Sequence, residues 1–166
     1  MEILTALVIV AILMAMSLQA FTSLQGKAER ANCTSNLTNL YVAANAFVQD
    51  QKTWPQISMA ASDSPDFASA WINMLAPYKI APANWICPTA QRSLGNPNYL
   101  TGPTLRIDYF PTAFGPDPNA AYKYPTQPWF CERGDVHGSG NLVVFANGQV
   151  QSLNDILSGM RSQVAQ

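Results

Sequence analysis

Charge is scarce in this chain: 11% of its 166 residues are Asp, Glu, Lys or Arg, against a usual share of about 25%. Nine basic residues face ten acidic ones, for a net charge of -1. That balance argues against a protein that coats nucleic acid, which needs a basic field over the phosphates. Histidine occurs once, as His137, and cysteine three times, as Cys33, Cys87 and Cys131. No Cys-x-x-Cys-His haem motif and no Gly-x-Ser-x-Gly elbow is present, so neither a c-type haem protein nor an α/β-hydrolase is indicated. Asp135 and Ser139 flank His137 too closely on one segment to form a Ser-His-Asp triad, and His137 reads as a structural histidine before a turn. Asp108, Asp117 and Asp135 match no calcium-loop spacing. No enzyme, cofactor or metal site is expected from these residues. A mean hydropathy of +0.01 rules out a polytopic membrane protein.

What is present is unevenly placed. From Ile3 to Gly26 no residue is charged, and the run contains Leu4, Leu7, Val8, Ile12, Leu13 and Phe21. About 20 apolar residues in a helix cross a bilayer, because the helix satisfies its own backbone. A cleavable signal peptide would open on basic residues and end at small ones; here the segment opens on Met1-Glu2 and the first basic residue is Lys27. Residues 1–26 are therefore expected to form a transmembrane or filament-core helix.

The first proline is Pro55, so nothing stops the helix before about residue 52. In 27–52 the pattern becomes one-sided. Cys33, Leu37, Leu40, Ala44 and Phe47 follow at steps of four, three, four and three, an amphipathic stripe suited to packing a head. The head, 53–166, reads as α+β with a small antiparallel sheet. Short helices are expected near Phe67 to Leu75 and from Asn154 to about Val164. Residues 141–153 read as a hairpin with Asn147-Gly148 in a tight two-residue turn, and the proline-rich stretch 97–128 as an irregular surface loop.

A greasy N-terminal helix that runs on into the spine of a head, with a glutamate at its start, resembles the type IV pilin superfamily, which includes the type II secretion pseudopilins. Glu2-Ile3-Leu4-Thr5-Ala6-Leu7-Val8-Ile9-Val10-Ala11-Ile12-Leu13 is similar to the segment after the family's processing site. Ala31-Asn32-Cys33-Thr34-Ser35-Asn36-Leu37, Trp85-Ile86-Cys87-Pro88, and His137 followed after nine residues by Asn147-Gly148 resemble three motifs of one bacterial branch, with Asn for Asp in the last. Family members carry three further residues ahead of the position matched by Met1, beginning with an N-methylated Phe. Many carry a proline where this chain has Gln19, leaving Gly26 as the weak spot of the helix.

The resemblance implies a structural subunit, a homo-oligomer whose identical helices form the core of a helical filament. Glu2, Ile3, Leu4, Leu7, Val8, Ile12, Leu13 and Phe21 would be the assembly residues, with Glu2 meeting the N-terminal amine of a neighbour. It also implies a pool in the bacterial inner membrane, a prepilin peptidase and an assembly machine as partners, and an extracellular pilus for attachment or motility. A periplasmic pseudopilus of an export machine is the alternative, and a membrane-tethered binding domain that does not polymerise is a third. The branch motifs imply a Cys33–Cys87 disulfide, with Cys87–Cys131 as the rival that would staple the proline-rich loop and three free thiols as the remaining option. A disulfide would require an oxidising compartment.

Overall fold

The computed structural model describes residues 2–95, 105–117 and 119–164. Helix α1 is continuous over Glu2–Gln51, about 75 Å at 1.5 Å per residue, and passes through Gly26 without a break. Its end is local chemistry. Lys52 takes a left-handed φ of 58°, its N–H closes on Val48 O at 2.9 Å, and Trp54 before Pro55 is kept out of helical geometry.

Of the expected assembly residues, the side chains of Glu2, Leu4, Val8, Leu13 and Phe21 lie outside the described set. Ile3, Leu7, Val10, Ile12, Met14 and Leu24 are exposed. Among the described residues no helix is long and apolar enough to cross a membrane. From Cys33 onward the helix is half-embedded: Cys33, Leu37, Leu40, Ala43, Ala44, Phe47 and Val48 are buried in the core, whereas Asn32, Ser35, Asn39, Gln49 and Asp50 face outward.

The chain is α+β. Four strands, counted among the described residues, form an antiparallel meander in the order β1-β2-β3-β4: β1 Tyr109–Pro111, β2 Pro128–Glu132, β3 Leu142–Phe145 and β4 Val150–Ser152. All four residues of β3 are buried, so this central strand is covered on both faces. The β2–β3 register slips between Pro128 and Phe130, a bulge at Trp129 beside a proline that has no N–H to give the ladder. Among the described residues three further α-helices belong to the head, α2 Pro65–Leu75, α3 Pro88–Ser93 and α4 Leu153–Val164, with short 3-10 turns between them. Ser64 caps α2 by accepting the N–H of Phe67 at 3.1 Å, with Pro65 in its first turn. Ser152 starts α4 by accepting the N–H of Asp155 at 3.2 Å. Both serines supply the oxygen that the open end of a helix lacks.

Two expectations are corrected here. Residues 97–104 of the proline-rich stretch lie outside the described residues, but 107–111 is no surface loop: Ile107, Asp108 and Tyr109 are buried and Tyr109–Pro111 pairs with β2 as an edge strand. Proline is tolerated there because an edge strand has one unpaired side. The β3–β4 turn is also longer than the two residues expected. Gly148 N–H donates to Phe145 O at 2.8 Å and Phe145 N–H to Gln149 O at 3.0 Å. Ala146-Asn147-Gly148 is therefore a three-residue loop, with only Gly148 at positive φ (80°), the turn-plus-bulge form of hairpin.

The reason for glycine is steric as well as torsional, because a Cβ on Gly148 would lie 2.9 Å from Tyr41 Cε1. Tyr41 itself is fixed, its hydroxyl donating to Ala146 O at 3.2 Å and its ring packed 5.1 Å from that of Trp129. Gly148→Ala is accordingly expected to destabilise the chain by about 1–3 kcal/mol, read as a lowered urea midpoint with an unchanged slope.

Candidate functional site

The joint between spine and head is built in two layers. The outer layer is polar. Glu29 on α1 accepts a two-pronged bond from Arg92 of α3 (2.5 and 2.6 Å) and a third bond from Thr89 at 2.8 Å. The next residue, Arg30, donates to Ser139 Oγ at 2.6 Å. Above these, at Cys33, the joint turns inward and becomes dry.

Cys87 reaches this point because its own segment is firmly held. Asn36 of α1 donates from Nδ2 to Ile86 O at 3.0 Å and accepts from Asn84 Nδ2 at 3.0 Å. Cys87 N–H donates to Asp108 Oδ2 at 2.9 Å. Asp108 is 1% exposed and is balanced by Arg106, whose Nη2 lies 2.6 Å from Oδ1. Its backbone also bridges: its N–H donates to Trp85 O, and its carbonyl accepts from Arg133 N–H, both at 2.8 Å. Pro88 then opens α3, leaving Cys87 at the cap position. The residues of Trp85-Ile86-Cys87-Pro88 are thus clamped between α1 and the end of β2.

Within the clamp, Cys33 Sγ and Cys87 Sγ are 2.6 Å apart. His137 Nε2 lies 3.7 Å from Cys87 Sγ and 3.2 Å from Glu132 Oε1. The His137 and Glu132 side chains are only 3% and 2% exposed. Glu132 Oε2 accepts the N–H of Leu142 at 3.3 Å. The electrostatics follow from dryness. The contact from Cys33 and then burial push the Cys87 thiol up, and burial raises the Glu132 carboxyl to about 7. Burial likewise raises the phenol of Tyr109, whose hydroxyl Asn36 Nδ2 approaches at 3.4 Å. Beside this group a cleft of ≈ 210 Å³, lined in part by Arg106, Asp108, Glu132 and Val136, leads to the surface.

The sequence-expected residues sort cleanly. Cys33 and Cys87 are brought together. Cys131 is on the strand position next to Glu132 and so projects from the opposite face, where its thiol donates to the carbonyl of Glu132 at 3.5 Å and burial raises its pKa. That placement runs against the Cys87–Cys131 pairing. Asp135 accepts the N–H of Ser139 at 3.0 Å and Asp117 that of Asn119 at 2.9 Å. Asp135, Asp117 and Asp108 therefore serve separate local turns and pairs.

His137 is not merely a turn residue, since its Nε2 faces Cys87 and Glu132. Asn147 accepts the N–H of Gln149 at 3.0 Å, stabilising the hairpin loop. Glu132 was missed by sequence reading because a single glutamate at a strand end carries no spacing signal. Its one legible trait was an ionisable residue inside Trp129-Phe130-Cys131-Glu132-Arg133, at the alternate position to the buried Phe130. Compared with known proteins, the chain matches no family model, no curated protein and no solved structure.

Proposed function

We propose that this chain is a structural subunit that polymerises through the first half of α1 into a helical, pilus-like filament. The observation that carries the reading is the two-part character of one continuous helix. Between Cys33 and Val48 one apolar face, formed by Cys33, Leu37, Leu40, Ala43, Ala44, Phe47 and Val48, is buried in the head, whereas Ile3, Leu7, Val10, Ile12, Met14 and Leu24 stand 47–80% exposed. Exposed apolar side chains along a straight rod need a partner. A second copy of the same rod supplies one by construction, and a repeated, non-closing contact between identical chains gives a filament. The polar ring of Glu29, Arg30, Arg92 and Ser139 marks where the rod enters the head. It fits a subunit whose head sits outside a core of packed rods. Before assembly, lipid would cover the same surface, and a carboxylate at Glu2 would be the one costly group in it.

The test is Glu2→Ala in the full chain. The variant should reach the membrane with a protease-resistant head and be absent from sheared fibres, because the head does not use that carboxylate. Long fibres from the wild type support a pilus, and short ones confined to the cell envelope support a pseudopilus instead. A strictly monomeric wild-type chain in mild detergent, with no fibres on overexpression, overturns polymerisation altogether.

A further inference from the structure

Four metal-ligating atoms converge at the joint: Sγ of Cys33, Sγ of Cys87, Nε2 of His137 and a carboxylate oxygen of Glu132, all within 4.8 Å of one another. They arrive from α1, the turn before α3, the β2–β3 loop and the end of β2. Glu132 Oε1 is buried and, among the described residues, has no hydrogen-bond partner of good geometry, although it points at His137 Nε2. A buried carboxylate oxygen left in that condition is costly. An ion between these groups would remove the cost by bonding Oε1 directly.

The donor set identifies the ion. Two sulfurs, one imidazole and one carboxylate make the borderline-soft, four-ligand shell of zinc, whereas calcium and magnesium take oxygen shells. The spacing agrees in large part. Bonds of about 2.0–2.3 Å in a tetrahedron put neighbouring ligand atoms roughly 3.3–3.8 Å apart, and the N···O and S···N separations are 3.2 and 3.7 Å. The two sulfurs, at 2.6 Å, must part by about 1 Å to admit the ion, a movement within reach of the two cysteine side-chain torsions.

We propose that, in the reduced chain, Cys33, Cys87, Glu132 and His137 bind one zinc ion in a closed, structural site that fastens the spine helix to the head. Both thiols give up their protons to solvent on binding, and Glu132 binds as the carboxylate, with no change of oxidation state. Four protein ligands leave no open position for water, so the role is to hold segments together and not to catalyse. The proposal stands independently of the filament reading.

The experiment uses the full chain in detergent micelles, reduced, stripped with chelator, and titrated with zinc against a chromophoric competitor. About one equivalent should bind and raise the melting temperature. Cobalt(II) in its place should give the intense visible bands of a tetrahedral thiolate site. Cys33→Ser and His137→Ala should each weaken binding by more than about 100-fold, beyond what losing an outer-shell partner costs. Glu132→Gln should weaken it less, and Cys131→Ser should leave it unchanged. The proposal is overturned if the reduced wild-type chain takes up no zinc. It is overturned equally if the zinc that binds is indifferent to Cys33→Ser. Because wild-type stoichiometry and the cobalt spectrum need no variant, a misfolded His137→Ala does not blunt the test.

Discussion

Leu37→Asp should abolish the folded head. Leu37 is fully buried on the face of α1 that also carries Cys33, Leu40 and Ala44, one turn or two away. The substitution removes a large core side chain, which for leucine costs about 2–5 kcal/mol, and leaves a carboxylate without a partner in the same space. Together these approach or exceed the about 5–15 kcal/mol by which a domain is stable. Helix propensity does not rescue it, because α1 in this region is held by its packing more than by its own residues. The expected outcome is loss of protease resistance from residue 53 onward and loss of near-ultraviolet circular dichroism from the buried tryptophans. Val42→Asp is the control. Val42 sits on the same helix but is 57% exposed, so the same chemical change should shift stability by no more than about 0.5 kcal/mol. Retained protease resistance in Leu37→Asp would mean that the stripe does not support the head.

The contrast between Leu37 and Val42 was legible in the sequence, and the reason is local: a helix repeats every 3.6 residues, so a stripe shows itself within a dozen positions. The same holds for α2, expected near Phe67 to Leu75 and found over Pro65–Leu75, and for the hairpin around Gly148. What was not legible depends on contacts distant in sequence. The exact hairpin turn was decided by the ring of Tyr41, more than a hundred positions away, against which a Cβ at 148 would press. Strand β1 was hidden among prolines because Asp108 and Tyr109 are held by Trp85, Cys87 and β2, none of which is a neighbour in sequence. For the buried cluster the sequence pointed to Cys33, Cys87 and His137 one at a time, each in its own motif. Glu132, the residue that turns two thiols and an imidazole into a four-donor shell, has no motif. Periodicity records which face a residue takes, not which residues from four segments meet behind that face.

Trp54→Ala carries the second large effect. Trp54 is 1% exposed and stands immediately after α1, where the chain enters the head. Its ring lies 5.0 Å from that of Trp129, 4.9 Å from Phe114, 5.9 Å from Phe130 and 6.0 Å from Trp71. From there the contacts continue: Trp71 and Trp85 are 6.3 Å apart, and each meets Phe130 at about 6 Å. Trp54 therefore joins α1 to α2, β2 and the segment after β1 in one network of edge-to-face and tilted ring pairs, in which each ring pair adds about 0.5–1.5 kcal/mol beyond burial. Truncation to alanine should cost about 3–5 kcal/mol, less than Leu37→Asp because no charge is stranded. The packing around it identifies a milder partner: Trp54→Phe keeps an apolar ring, and since Trp54 Nε1 has no hydrogen-bond partner among the described residues, losing the indole N–H sacrifices no bond. Phe should thus recover more than half of the loss, measured by chemical denaturation of the full chain in micelles. If Phe is as damaging as Ala, the ring network does not set the stability of the head, and the indole N–H would have to be bonded to something outside the described residues.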